Sequence, residues 1–188
     1  DMKLTLKDEN NVSADSNSEG NISKILSLTE KQQSFTFVGV RIKPTASILR
    51  GFSAPVKLKQ KIDKPSLGFR LINDGDTFNR WDAGQELMQT FLNECIAKHK
   101  KNQQFVMDGT LATTFHKTIT NNKIDPSLKA ALMQGPSISE LINNMEVADI
   151  DAINAARTFM LYELAKENKR ALLDLYYENQ TKGHYQYN

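Results

Sequence analysis

The stretch FNRWDAGQELMQTFLNECIAKH, residues 78–99, divides the chain into two parts of different character. Before it, apolar and polar residues alternate between polar loops, whereas after it apolar residues recur at helical spacing. Wound at about 3.6 residues per turn, the stretch gathers its main apolar side chains on one stripe: Trp81, Met88, Phe91, Leu92, Cys95 and Ile96. Asp76 can cap the start, and the basic residues 98–101 suit the negative end of the helix dipole. The sequence predicts a long helix that joins a β part to an α part.

The composition is that of a soluble globular protein. Of 188 residues, 39% are apolar and 24% are charged, which is enough apolar material for one or two cores. The 24 Lys and Arg barely exceed the 22 Asp and Glu, so neither nucleic acid nor a membrane surface is a predicted partner. The single cysteine, Cys95, cannot form an internal disulfide, and no signal peptide or long apolar run is present. These features predict a cytoplasmic protein.

The first part of the chain predicts strands. Met2, Leu4 and Leu6 alternate with polar residues, and the polar run 8–21 predicts a mobile loop. Further strands are expected at 23–28 and 34–42, followed by an extended piece within 47–62. These strands are too few for a complete antiparallel β-sandwich. We therefore expect residues 1–62 to form a partial sandwich whose first strands precede residue 1.

The second part, residues 63–188, predicts an antiparallel α-helical array. A short helix is expected at 67–72, and a turn follows at 73–75. Later helix starts are marked by capping residues, namely Asp108, Asp125 with Pro126, the Ser137–Glu140 capping box, and Asp149. The last of these helices is expected to run unbroken to about Asn179. The predicted fold class is α+β.

Candidate catalytic groups are few. None of the histidines, His99, His116 and His184, belongs to an H-E-x-x-H motif. Cys95 and His99 have the i, i+4 spacing of two metal ligands, but no second pair is visible and Cys95 also fits the apolar stripe. Asp82 and Glu86 lie one turn apart and fit a solvated face, and no Gly-rich phosphate loop is present. We therefore predict no catalytic, cofactor-binding or metal-binding residue in this chain.

Aromatic residues gather near the end of the chain, at Tyr176, Tyr177, Tyr185 and Tyr187. Tyrosines often lie where a neighbouring domain covers part of a surface. Partly exposed aromatics at a helix end explain the pattern equally well. Both interpretations stay open on the sequence alone.

Three stretches give the chain a resemblance to a known family: LRGFSAPVKL (49–58), FNRWDAGQELM (78–88) and KIDPSLKAALMQGPSISEL (123–141). The residues that carry it are Leu49, Arg50, Phe52 to Leu58, Phe78, Arg80 to Ala83, and Lys123 to Pro126. In these stretches the chain resembles bacterial aminopeptidase N, a family of gluzincin zinc metallopeptidases. The resemblance extends more weakly from about Phe35 to Tyr177.

The resemblance implies a place in a larger enzyme. In that family a thermolysin-like catalytic domain precedes a small β-sandwich and a large, superhelical α-domain, and this chain is similar to most of the sandwich plus the first helices. The zinc-binding H-E-x-x-H helix, the Gly-x-Met-Glu-Asn loop and a transition-state tyrosine match no position here. The expected role is therefore a non-catalytic middle segment of a zinc aminopeptidase that acts on peptides. Zinc is expected in the parent enzyme and no cofactor in this segment.

The expected partners are the upstream catalytic domain and the downstream helical repeats of the same protein. Within such a segment, Phe78 and Trp81 are expected to lock the helices to the LRGFSAPVKL stretch. The alternative is a free-standing helical protein-interaction module that uses its tyrosine-rich end. A hydrolase complete in itself would need a site that the sequence does not offer.

Overall fold

A computed structural model describes residues 3–8, 15–16, 22–37, 44–143, 145–180 and 183. For residues 3–8, 15–16 and 22–23 it describes the backbone alone. The chain divides into two compact units, Asp1–Ala46 and Ser47–Asn188.

The described part of the first unit contains four short strands: β1 (Lys3–Asp8), β2 (Asp15–Ser16), β3 (Ile22–Ser23) and β4 (Gln32–Phe37). β1 pairs in parallel with β4, in a register that runs from Lys3 opposite Gln32 to Asp8 opposite Phe37. β2 pairs antiparallel with β3. The parallel pairing differs from the antiparallel order expected, and the long connection between β1 and β4 is what permits it. The sandwich itself is not confirmed.

Other strand predictions need correction. The strand expected at 23–28 is wrong beyond Ser23, and the side chain of Ile25 is 95% exposed, so nothing covers an apolar face there. The piece expected to be extended within 47–62 contains a single 3₁₀ turn, Arg50–Phe52, and no strand. The predicted continuation of the third strand over 38–42 and most of the predicted loop lie outside the described residues.

The second unit is helical. Its described helices are α1 (Lys64–Asn73), α2 (Thr77–His99), α3 (Gly109–Thr120), α4 (Pro126–Gln134), α5 (Ile138–Asn143), α6 (Ile150–Glu167) and α7 (Lys169–Glu178). The helix starts predicted from capping residues are confirmed, whereas the short helix expected at 67–72 begins three residues earlier, at Lys64, because Asp63 caps it. Asp76, Asp108, Asp125 and Asp149 each accept a hydrogen bond from a backbone N–H in the first turn of the helix they cap. The capping box of α5 is also confirmed, because Ser137 N–H donates to Glu140 and Glu140 N–H donates to Ser137 Oγ.

The prediction of one helix from Asp149 to Asn179 is wrong, because the helix breaks at Asn168. Asn168 has φ −111° and ψ 16°, and its side chain is buried. Its Nδ2 donates to Leu164 O at 2.8 Å, and its Oδ1 lies 2.8 Å from Nδ1 of His116 in α3. Since Oδ1 can only accept, His116 Nδ1 is the donor. This contact with α3 explains the break between α6 and α7.

Helix α2 forms the centre of the core, where it packs against α1, α3, α4 and α6. Two glycines allow close helix contacts. A Cβ on Gly84 of α2 would lie 2.5 Å from Leu132 Cδ2 of α4, and a Cβ on Gly68 of α1 would lie 2.6 Å from Thr114 Oγ1 of α3. Glycine is therefore required where α2 meets α4 and where α1 meets α3.

An ion-pair network connects α1 with α2 and with the start of α3. Lys64 Nζ lies 2.8 Å from Asp108 Oδ2 and 2.7 Å from Glu94 Oε2. Burial opposes the charge on Lys64, but hydrogen bonds to Asp108 and Glu94 raise its pKa above the ordinary value. Burial likewise opposes the charge on Asp108, yet hydrogen bonds from Lys64 and the Leu111 N–H lower its pKa.

The stability supplied by the Lys64–Asp108 pair should depend on pH. The folded-state pKa of Asp108 is lowered, so its contribution is complete above the unfolded pKa of about 4 and is lost as pH falls through the folded value. The folded-state pKa of Lys64 is raised, so the contribution of Lys64 to stability is complete below about pH 10. It is lost as pH rises through the folded-state pKa. A double-mutant cycle of Lys64→Met and Asp108→Asn, measured by urea unfolding, should give a coupling of about 0.5–1 kcal/mol at neutral pH. A coupling that persists unchanged at a pH low enough to protonate Asp108 in the folded protein would contradict this assignment.

Candidate functional site

The first two stretches that carry the family resemblance meet at the N-terminus of α2, where residues 47–52 pack on residues 76–81; we call this contact the junction. The Phe52 and Phe78 rings lie with their centroids 4.6 Å apart, and those of Phe78 and Trp81 lie 5.7 Å apart. The prediction that Phe78 contacts the LRGFSAPVKL stretch is confirmed. Phe78 lies between the other two rings, so in this series the Trp81 ring contacts Phe78 and not Phe52. The Trp81 side chain is half-buried.

Hydrogen bonds hold the junction together. The Nδ2 of Asn79, which is buried, donates to Ser47 Oγ at 2.8 Å and to Ile48 O at 3.1 Å. The two carboxylate oxygens of Asp76 accept from different parts of the chain, Oδ1 from the Asn79 N–H and Oδ2 from the Gly51 N–H, both at 2.9 Å. Asp76 therefore caps α2 and binds the turn that precedes α1 at the same time.

The charge on Asp76 is stabilised by these contacts. Burial alone would raise the pKa of Asp76, but hydrogen bonds from the Asn79 and Gly51 backbones and the charge of Arg50 bring it below the ordinary value. Asp76 is therefore ionised at neutral pH. A charged acceptor forms a stronger hydrogen bond with the Gly51 N–H than a neutral one would.

The turn that Asp76 holds has an uncommon backbone. Leu49, Gly51 and Phe52 have φ values of 58°, 60° and 54°. Side chains at Leu49 and Phe52 make this left-handed conformation costly, by about 1–3 kcal/mol each. The contacts with α2 compensate for that strain, and they hold Phe52, 72% exposed, beside Phe78.

The third resembling stretch also lies against α2. Leu132 of α4 packs on Gly84, and the Cβ position of Gly135 lies 3.4 Å from Met88 Sδ. Arg80 links α2 back to α1, because its Nε donates to Leu71 O and its Nη2 to Ile72 O, both at 2.9 Å. All three stretches therefore converge on one helix. The sequence predicts no role for Asn79 and only a capping role for Asp76. The roles of both in the junction depend on residues 25 to 32 positions away.

Cys95 and His99 lie among packed side chains, an environment typical of a protein core rather than of a reactive site. Cys95 is buried, and burial raises the pKa of its thiol to about 11, so it is protonated at neutral pH. The His99 ring lies 6.3 Å from that of Phe105, measured between centroids. This environment favours packing over metal binding or nucleophilic attack.

The other candidate groups are separated from one another. His116 contacts Asn168 as described, and His184 lies outside the described residues. Burial raises the pKa of Glu86, and the neighbouring charge of Asp82 raises it further. Among the described residues, neither carboxylate forms a hydrogen bond or ion pair with a histidine or cysteine, so the pair offers no acid–base machinery.

A charged pair lies buried near the start of α2. Arg70 Nε lies 3.8 Å from Asp74 Oδ2, and neither atom has a hydrogen-bond partner, although Asp74 Oδ1 accepts from the Asp76 N–H. The pair lies where α1 ends and thus helps to fix the turn into α2. These contacts indicate a structural role for the Arg70–Asp74 pair.

The described residues form neither a metal-binding cluster nor a helix able to span a membrane. Among them, no three His, Cys, Asp or Glu side chains gather as a metal ion would need. The described side chains therefore do not fit the zinc site that the resemblance implies for the whole enzyme. Within the same part of the chain, no helix combines the length and apolarity that a membrane crossing needs.

Comparison with known families gives two matches. Residues 64–188 match the family described as "Domain of unknown function (DUF3458_C) ARM repeats". Residues 2–61 match "Domain of unknown function (DUF3458) Ig-like fold". The chain therefore contains an Ig-like region followed by a helical repeat region.

Relatives support the resemblance to aminopeptidase N. The chain is 32% identical to aminopeptidase N of Escherichia coli K12 over 84% of its own length, and 28% identical to aminopeptidase N of Haemophilus influenzae over 93%. A crystal structure of Legionella pneumophila aminopeptidase A in complex with aspartic acid shares the fold over 80% of the chain, with a TM-score of 0.66 and 24% identity. The chain spans only 18% and 20% of the two relatives and 17% of that structure.

Proposed function

Since the chain belongs to the DUF3458_C family of ARM repeats, we propose that it is a non-catalytic segment of an aminopeptidase, with the scaffold role of fixing an Ig-like domain to a helical wall. The observation that carries this proposal is the junction, where residues 47–52, a part of the Ig-like match that lies in the second unit, meet the start of α2 through three hydrogen bonds and the Phe52–Phe78 ring contact. Residues 1–62 and 63–188 are the two proposed domains. Their partners are the other domains of the same protein.

The chemistry of the described side chains supports a structural role. The only thiol is protonated in the core, and the carboxylates that cap helices are engaged by backbone N–H groups. Because the described residues do not fit a zinc site, we assign zinc and the peptide-hydrolysing chemistry to the rest of the protein. The substrates proposed for that protein are peptides, and the proposed location is the cytoplasm.

The strength of the likeness favours this role over a free-standing interaction module. Three stretches from separate parts of the chain resemble one enzyme family, and in the structure they converge on α2. An unrelated module would have no reason to resemble one enzyme family in three separate stretches.

The junction can be tested in the full-length gene product. Asn79→Ala removes both side-chain hydrogen bonds and leaves the Ile48 carbonyl without this donor, so residues 47–52 should lose their fixed position on α2. If the junction places the domains around the substrate, peptidase activity should fall about tenfold or more, since small displacements have large catalytic costs. Hydrolysis of a peptide substrate and metal content should be measured on the same samples.

Asn93→Ala is the matched control, because Asn93 is an exposed asparagine on the same helix. It should leave the activity unchanged. If Asn79→Ala and Asn93→Ala have equal activities while both remain folded, the junction does not place the catalytic parts and the scaffold role is wrong. Loss of metal in Asn79→Ala would instead indicate general unfolding of the enzyme, and would also argue against a placement role.

A further inference from the structure

Helix α7 carries more apolar surface than the other described helices cover. At about 100° per residue, its six apolar side chains cover roughly two thirds of the helix surface. They are Ala171, Leu172, Leu173, Leu175, Tyr176 and Tyr177. The polar residues Arg170, Asp174 and Glu178 occupy the remaining arc, and the exposed Lys169 in the first turn is the one polar residue within the apolar arc.

Among the residues that the structure describes, the other helices cover only one side of that apolar surface. Ala171, Leu172 and Leu175 are half-buried where α7 packs against α3 and α6. Leu173, Tyr176 and Tyr177 lie on the other side and are 44%, 61% and 67% exposed. We call these three residues the outer face of α7. No residue of α7 is fully buried, although a helix of ten residues has little stability without tertiary packing.

We propose that the outer face of α7 is a contact surface for a further helix of the same protein, so that α7 lies between two helical layers. This inference rests on the proposed function, in which the chain is one segment of a larger enzyme. Leu173, Tyr176 and Tyr177 stand at i, i+3 and i+4, the spacing that forms a ridge in helix packing. A strand or an extended peptide would not require that spacing.

The repeat architecture identifies the occupant. In ARM repeats each helical unit packs on its neighbours, and a terminal unit needs a polar outer side to remain soluble. The outer face of α7 instead exposes three large apolar side chains, with Lys169 one turn before them and tyrosine hydroxyls that can reach a hydrogen-bond partner at the rim. The chain also spans about a fifth of its relatives, which leaves most of such a protein to supply the helix. The partner helix should carry an apolar ridge with a hydrogen-bond acceptor at its edge.

Site-specific photocrosslinking in the full-length gene product tests this surface. The photoreactive residue p-benzoylphenylalanine replaces Tyr176 in one variant and Glu178 in another, and mass spectrometry identifies the crosslinked residues. Glu178 is the control because it is exposed, lies two residues away and belongs to the polar arc of the same helix. We expect the yield at position 176 to exceed that at 178 several-fold, with the product mapping to a helix of the same polypeptide outside residues 1–188.

Other results would overturn the proposal. Equal yields at both positions would mean that nothing covers the outer face, and crosslinks between α7 segments of two copies would identify a self-association surface. Crosslinks from position 176 to residues within 1–188 would mean that the chain itself covers α7. The crosslink pattern does not depend on catalysis, so the expected product in a sample without peptidase activity would leave this interface standing and reject the proposed enzyme.

Discussion

Replacing Phe91 with alanine is expected to lower the free energy of unfolding by about 3–5 kcal/mol. Phe91 is 2% exposed and is one of the largest fully enclosed side chains among the described residues. Its ring packs against Phe159 of α6 with centroids 6.4 Å apart, and Phe105 contacts Phe159 in turn at 5.4 Å. Alanine would therefore leave a cavity between α2 and α6 that the surrounding helices cannot close. Urea unfolding followed by far-UV circular dichroism measures the change.

Phe69→Ala is the matched control, since it removes the same ring from α1 where Phe69 is 57% exposed. It should cost less than about 1 kcal/mol, because little apolar area returns to water. If the two substitutions had equal effects, Phe91 would not occupy the centre of a packed core.

Gly84→Ala should also be strongly destabilising, by about 1–3 kcal/mol. The new methyl group would lie 2.5 Å from Leu132 Cδ2 and 3.4 Å from both Cδ atoms of Leu71. Leu132 is 3% exposed, so its side chain can move only by shifting its neighbours within the core. The gain in helix propensity, about 1 kcal/mol for glycine to alanine, offsets only part of that overpacking. The unfolding midpoint in urea should fall.

Gly109→Ala makes the same substitution at the start of α3, where a new Cβ meets nothing within 4 Å. It should leave stability unchanged or raise it by up to about 1 kcal/mol, because alanine restricts the unfolded chain. Opposite signs at positions 84 and 109 would verify the close contact between α2 and α4. A stabilised Gly84→Ala protein would show that the two helices can separate without cost.

The helices could be predicted because their signals are local. Asp108 and Asp125 lie directly before the helices that they cap, and the Ser137–Glu140 box spans one turn, so each start depends on residues within a few positions. The apolar stripe of α2 likewise follows from spacing alone. The resemblance to aminopeptidase N could also be recognised, because ordered runs of residues carry it.

Features that depend on distant residues could not be predicted. The break at Asn168 requires His116, 52 positions earlier, and the left-handed turn at Leu49–Phe52 requires Asp76. Parallel pairing of β1 with β4 is not encoded in either strand, since alternation fixes which side chains share a face but not the neighbouring strand. The junction was foreseen only as a contact of aromatic rings, and the hydrogen bonds of Asn79 that strengthen it were not.

In the proposed scaffold role, the junction is the means by which residues without catalytic chemistry would affect the enzyme. Asp76 and Asn79 fix a strained turn against α2, and α2 is also the helix on which α1, α4 and α6 pack. The turn is therefore held by the most extensively packed helix of the second unit. A scaffold that positions separate domains needs this kind of rigid attachment.

The most direct test of the account is a peptidase assay on two purified samples, the 188-residue chain and the full-length gene product. Each is supplied with zinc and an aminopeptidase substrate, and bound metal is measured by mass spectrometry. The account predicts hydrolysis and bound zinc in the full-length protein alone, with neither in the isolated chain. Hydrolysis by the isolated chain would contradict it and would direct attention first to Cys95 and His99. Inactivity of both samples would also contradict it, and would favour a helical interaction module.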